Sequence, residues 1–276
     1  MRHTLSTHVF VQHRLTVALL DRIAKSGIGE IEIFCARQHL DYHNRVQLEE
    51  LAHWFRDSEL KVHSVHSPIY NDTIWGRSGP HAVISLTETD KAKRIAATDE
   101  IKRALEIAEM IPFRYLIQHI GMSGEEYDER KVDAAFGSLE ELCIFAGHRG
   151  VQCLVENIPN AFSTPERLVS FVNATHLSTN FVFDTGHAHI MGGVERAFQT
   201  MRERIRSTHV HDNDGENDSH LFPSHDRPGG IKWKETMDLL RSDEDRYPLL
   251  LELKEVPEMA HPLEEIRAVF DRLENL

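Results

Sequence analysis

Eight short, largely apolar runs alternate along this chain with longer segments of helical periodicity, and that strict order admits few folds. The runs fall at 7–12, 30–35, 61–66, 115–120, 151–158, 181–184, 206–211 and 249–253. The spacing between them predicts helices over 15–25, 46–57, 130–149, 233–240 and 263–276. Another helix follows the third run, where Ile101, Ala104, Leu105 and Ala108 mark one buried face. After the fifth run, Thr164 supplies an N-cap and Pro165 a first helical position. Gly192-Gly193 precedes the helix after the sixth. Strict βα alternation implies a parallel sheet, and eight units within 276 residues imply an α/β fold, a single (β/α)8 TIM barrel. No linker or low-complexity stretch divides it, so residues 1–276 read as one domain. An open doubly wound sheet is the alternative, but no Gly-x-Gly-x-x-Gly turn follows the first run. The loop 68–88 is too long for an ordinary βα connection and, with Tyr70, Trp75 and Arg77, reads either as a lid over the barrel mouth or as a mobile surface insertion.

Composition narrows the setting. No apolar run approaches the ~18 residues of a membrane helix, and the N-terminus leads into a strand without a signal-peptide core. Cys35, Cys143 and Cys153 have no metal-knuckle spacing and read as reduced thiols in the cytoplasm. A net charge of −13 argues against nucleic acid as a partner. Arg37, Arg45 and Arg77 are the candidates for a local basic lining. Nineteen histidines are many for this length, and their positions carry the next step.

In a (β/α)8 barrel the chemistry sits at the C-terminal strand ends. Those ends hold His66, His119, Glu156, Asp184 with His187, then His209 and His211, and finally Glu252. Asp218 and His220 follow in the seventh loop. A lone histidine there is more often a hydrogen-bonded rim residue than a ligand. The carboxylates are harder to dismiss, because Glu156, Asp184 and Glu252 each interrupt an apolar strand, where an unpaired charge is costly. Three such groups at one barrel mouth repel each other unless a cation lies between them. Mixed carboxylate and imidazole donors suit Mn²⁺ or Zn²⁺ first, with Co²⁺ and Fe²⁺ as alternatives and Mg²⁺ less suited. Of His209 and His211, two apart on one strand face, His211 lies nearer the mouth and is the expected ligand. His209 then serves as its neighbour or as a core residue.

Val155-Glu156-Asn157, Phe183-Asp184-Thr185-Gly186-His187, His211-Asp212-Asn213-Asp214, Asp218-Ser219-His220 and Leu251-Glu252-Leu253 occur in one order. With these motifs, the chain from His66 to Glu252 resembles the xylose isomerase-like barrel superfamily, which includes sugar isomerases and epimerases and the endonuclease IV branch. The resemblance implies one divalent metal held by Glu156, Asp184, His211 and Glu252. The further ligand positions of the endonuclease IV branch match His66, His119, His187, Asp218 and His220. The loops Ile158-Pro159-Asn160-Ala161-Phe162 and His66-Ser67-Pro68-Ile69-Tyr70 look more like the isomerase side. The expectation is therefore a metal-dependent isomerase or epimerase of a sugar, sugar phosphate or related polyhydroxy carbonyl compound. Glu156 and Glu252 would exchange the proton through a metal-stabilised enediolate, with His187 bonding a substrate hydroxyl. The alternative is an endonuclease IV-like zinc phosphodiesterase acting at abasic sites. The resemblance also carries an expectation of homo-oligomers, although the sequence has no interface signature. Trp75, Phe162 and Phe222 are the candidates for shaping a sugar-sized pocket, and contacts from the stretch 222–230 are not carried over.

Overall fold

The computed structural model describes all 276 residues. Eight parallel strands follow the chain: β1 (His3–Ser6), β2 (Glu30–Phe34), β3 (Lys61–His66), β4 (Tyr115–Gln118), β5 (Gln152–Glu156), β6 (Asn180–Asp184), β7 (Ile205–His209) and β8 (Leu249–Leu251). Each pairs with its sequence neighbour, and β1 also pairs with β8. The Val210 N–H donates to Leu250 O at 2.8 Å and Glu252 N–H to Val210 O at 3.2 Å, which joins β7 to β8 and closes a TIM barrel. Helices lie between the strands: α1 (Val17–Lys25), α2 (Arg45–Arg56), α3 (Lys91–Leu105), α4 (Glu129–Gly147), α5 (Pro165–Ala174), α6 (Thr185–Ile190), α7 (Val194–Met201), α8 (Trp233–Arg241) and α9 (Pro262–Glu274). No helix is long and apolar enough to cross a membrane.

Helix starts follow local chemistry. The side chains of Thr16, Asn44, Asp90, Asp128 and Thr164 each accept a hydrogen bond from a backbone N–H in the first turn. The strand period of two divides the side chains between two environments. Leu5, Ile31, Ile33, Val65, Leu116, Val155, Phe181, Phe183, Leu249 and Leu251 join the core under the helices. Tyr115, Ile117, Leu154 and Val182 form a separate cluster inside the barrel. On that inward parity, two residues further along, stand Glu156 after Leu154 and Asp184 after Val182. The same apolar-to-acidic step that marks them in the sequence therefore turns them into the barrel mouth.

Two expectations need correction. The first strand is not 7–12 but His3–Ser6, and Thr7–Phe10 form a 3-10 turn. Tertiary pairing overrides the β propensity of Thr7, Val9 and Val11. The ladder with β2 ends at Ser6↔Glu32, and Thr7 instead uses its hydroxyl to accept the Phe34 N–H at 3.0 Å. The second is that the sixth loop holds an extra short helix, α6. Asp184 starts it by accepting the His187 N–H at 2.6 Å, which fixes the aspartate's rotamer at the end of β6.

Candidate metal centre

Side chains able to hold a metal collect at the C-terminal mouth in three adjoining groups. The first is His66, His119 and Glu156; the second Glu156, Asp184, His209 and Glu252; the third His187, His211, Asp218 and His220. Within each group the ligand-type atoms lie within 4.8 Å of one another. Every residue singled out at the strand ends is therefore here. His209 falls in the carboxylate group, and His211, the expected ligand, falls in the adjoining one while still touching Asp184. The register explains it, because Asp184 pairs directly with His209 across β6 and β7, whereas His211 lies one pleat beyond the strand end. His209 Nδ1 stands 3.1 Å from Glu252, 3.3 Å from Glu156 and 3.9 Å from Asp184. His211 Nε2 keeps a contact with Asp184 at 3.1 Å but otherwise faces Asp218.

Beneath this group lies a support that the sequence reading missed. Glu32 is fully buried on β2 and accepts from Ser6 Oγ at 3.0 Å, Ser64 Oγ at 2.7 Å and His209 Nε2 at 3.2 Å. Its signal was the Glu30-Ile31-Glu32-Ile33 alternation, which places a second acidic side chain inside the barrel. Bonding Nε2–H to Glu32 leaves Nδ1 free to face the three carboxylates. Other rings are oriented through backbone carbonyls. His66 Nδ1 donates to Ser67 O at 2.9 Å, His211 Nδ1 to Asp212 O at 3.4 Å, and His220 Nδ1 to Glu252 O at 3.1 Å. Each is left with Nε2 turned to its group. His66 Nε2 and His119 Nε2 lie only 3.2 Å apart, and His119 Nε2 stands 3.2 Å from Glu156 Oε2. His187 Nδ1 is buried without a hydrogen-bond partner, 3.2 Å from Glu156 Oε1.

These contacts set the charges. Burial opposes charge on His209 and His187, yet the surrounding carboxylates raise both imidazoles well above their usual value. Burial would likewise raise Glu156, but His209 and His119 hold it well below the usual carboxylate range. Glu252 goes the other way: burial raises it, and His209 and His220 only partly offset this. Burial disfavours charge on His220 as well, but Asp218 beside it lifts the ring to about 9. His220 is also the one non-glycine residue with positive φ, 47°. Its backbone is pinned by Lys254 N–H donating to His220 O at 2.8 Å, and such local strain is often found at functional positions. Asp212 anchors the loop that carries Asp218 and His220. Fully buried, it accepts from the N–H groups of Asn213, Ser224 and Ile231, from Trp233 Nε1 and from Arg227 Nε.

Above the groups lies a cavity of about 480 Å³, reached by Glu156, Glu252, His66, His119, His187, Asp218 and His220. The segment 68–88 covers one side of it. Tyr70 bridges antiparallel to Val83, and Trp75 sets its edge against Phe34 at 5.4 Å. Trp75 and Phe34 thus line the cavity. Phe162 instead stacks on Tyr127, and Phe222 packs on the core under the helices. The expected arginine lining is also displaced. Arg37 pairs with Asp41, Arg45 pairs with Glu49, and neither they nor Arg77 reach the cavity, where Lys254 is the only lysine or arginine.

Known proteins share this architecture. The crystal structure of a D-tagatose 3-epimerase-like protein superposes with a TM-score of 0.78 at 20% identity, covering 100% of this chain and 97% of that one. The crystal structure of IolI protein with a bound zinc atom gives 0.73 at 17% identity over 99% and 96% of the two chains. Likeness at these identities speaks for the fold. Uncharacterized protein MJ1614 of Methanocaldococcus jannaschii is 27% identical over 147 residues. That match is 51% of this chain and spans 57% of the relative's own length. The xylose isomerase-like TIM barrel family matches residues 20–276, and the chain belongs to that family.

Proposed function

We propose that this protein is a divalent-metal-dependent isomerase or epimerase of a sugar or related polyhydroxy carbonyl compound. The observation that carries the reading is the buried group Glu156, Asp184, His209 and Glu252, of which Glu156 and Glu252 reach a cavity of about 480 Å³. A cation fits these residues. Three buried carboxylates converge there, and His209 Nδ1 is buried among them without a hydrogen-bond partner. Glu156, Asp184 and Glu252 would hold Mn²⁺ or Zn²⁺ together with His209, whose Nδ1 faces all three, or with His211, whose Nε2 lies 3.1 Å from Asp184. Such a cation supplies Lewis acidity, making the C–H beside a substrate carbonyl easier to deprotonate.

The remaining work falls to the chain's own side chains. Glu156 ends β5 and Glu252 follows β8, with β6 and β7 between them around the barrel, so their carboxyl groups approach the cavity from different directions. One removes the proton and the other returns it, as inversion at a carbon requires. His187, between Glu156 and Asp218, is placed to bond a substrate hydroxyl. Phe34 and Trp75 offer apolar faces to the sugar carbons. The volume suits a small ligand, for which pockets of roughly 300–1,000 Å³ are usual. The fold shared with the epimerase-like and zinc-binding structures also supports this reading.

The test is solvent deuterium exchange into ketoses by the metal-loaded protein. Glu156→Gln and Glu252→Gln should each abolish it; full exchange in both variants would reject the assignment. A second reading, a phosphodiester hydrolase, is favoured by the three adjoining donor groups sharing Glu156. It expects close to three equivalents of zinc per chain and chelator-sensitive nicking of an abasic duplex. The single lysine of the cavity weighs against it, because duplex binding rests on many phosphate contacts.

A further inference from the structure

His8 stands at the cavity and belongs to none of the three donor groups. It follows β1 in the 3-10 turn and is 7% exposed. Its Nδ1 meets Leu253 O at 3.0 Å. A carbonyl oxygen can only accept, so Nδ1 carries the hydrogen and Nε2 is left as an acceptor. Nothing in the protein donates to Nε2. Three rings fix the imidazole in place: Phe34 at 4.8 Å, His220 at 4.9 Å and Trp75 at 5.6 Å between centroids. Burial, reinforced by the neighbouring His220, keeps this ring well below the usual imidazole pKa, which favours the same single acceptor.

A fixed acceptor on the cavity wall selects for a donor. His220 of the third group lies on one side of His8, and Phe34 and Trp75 present carbon to its other faces. Resting on the sugar reading above, we propose that His8 Nε2 accepts a hydrogen bond from a substrate hydroxyl lying beyond the carbons that react. His8 thereby determines specificity for substrates carrying a hydroxyl at that position. A substrate lacking it leaves a buried acceptor unpaired, and sites built this way discriminate strongly against the deoxy analogue.

The experiment uses the full metal-loaded chain. Nitrogen-15 imidazole spectra of the free protein should show His8 as the Nδ1–H tautomer; an Nε2–H tautomer would overturn the inference and leave the sugar reading intact. Calorimetric titration with D-fructose, D-tagatose and their monodeoxy derivatives then compares three proteins. His8→Phe keeps an aromatic ring and should weaken binding of the parent ketose about three- to tenfold, the worth of one neutral hydrogen bond. His8→Gln places an amide oxygen near the position of Nε2 and should restore most of that loss. One monodeoxy ketose should bind the wild type weakly yet equal its parent in His8→Phe. If His8→Phe binds every ketose like the wild type, His8 does not read a hydroxyl and only this inference falls. If the wild type binds and exchanges no ketose, the sugar reading fails and this inference fails with it.

Discussion

Replacing His209 by leucine removes one buried imidazole and leaves four carboxylates without it. In the metal-free protein His209 lies 3.2 Å from Glu32, 3.1 Å from Glu252, 3.3 Å from Glu156 and 3.9 Å from Asp184. None of the five side chains is more than 3% exposed. Leucine is close in bulk, so the cost is chiefly electrostatic. Removing one partner of a buried ion pair costs about 3–5 kcal/mol. For a chain of this size each kcal/mol is worth roughly 2–4 °C, so the chelated variant should melt about 10 °C below the chelated wild type at pH 7. The sign with pH follows from the shifts. His209 is raised in the folded state, so its contribution is complete below its unfolded value of 6.5 and is lost as pH rises through its folded value. The carboxylates escape by protonating as pH falls through their own range. The difference between the two proteins should therefore be largest between those limits and shrink on acidification. Thermal melts in chelator, at pH 5 and pH 7, measure it. A loss below about 2 °C at pH 7 would refute the argument that His209 supplies the countercharge.

Three further outcomes are expected. The chelated wild type should lose stability as pH rises from 6.5 towards 9, because His187, His209 and His220 are all raised by carboxylates, the last to about 9. Metal affinity should change in the opposite sense and tighten over the same window, since the ligand nitrogens must be deprotonated, and paired melts with and without Mn²⁺ decide both. Gly186→Ala would place a Cβ 2.0 Å from the His211 ring. It should push that ring off Asp184 and weaken metal binding about 10- to 100-fold, read by competition with a chelating dye, and unchanged affinity would contradict the geometry. Asp212→Ala strips the acceptor from five donors around 213–233 and should cost about 3–5 kcal/mol. Limited proteolysis should then cut first within that loop, and a cleavage pattern like the wild type's would show that Asp212 does not hold it.

The sequence by itself determined the barrel and nearly all the side chains that gather at its mouth. Alternation of apolar strands with amphipathic helices is a local pattern, and closure into eight units follows from it. The acidic residues were legible for the same reason: Glu156 after Leu154 and Asp184 after Val182 break an apolar rule that a strand obeys unless something compensates. The choice between His209 and His211 was not legible. They share a face, and only the register Asp184↔His209, a property of two strands, brings His209 among the carboxylates while His211 meets Asp184 alone of the three. Glu32 was hidden likewise, since its meaning comes from Ser6 and Ser64 beside it and from His209 across the barrel. The first strand moved because pairing partners, not β propensity, decide where a ladder ends. Residue type follows from local order, but which side chains become neighbours depends on register and closure, which the folded barrel alone establishes.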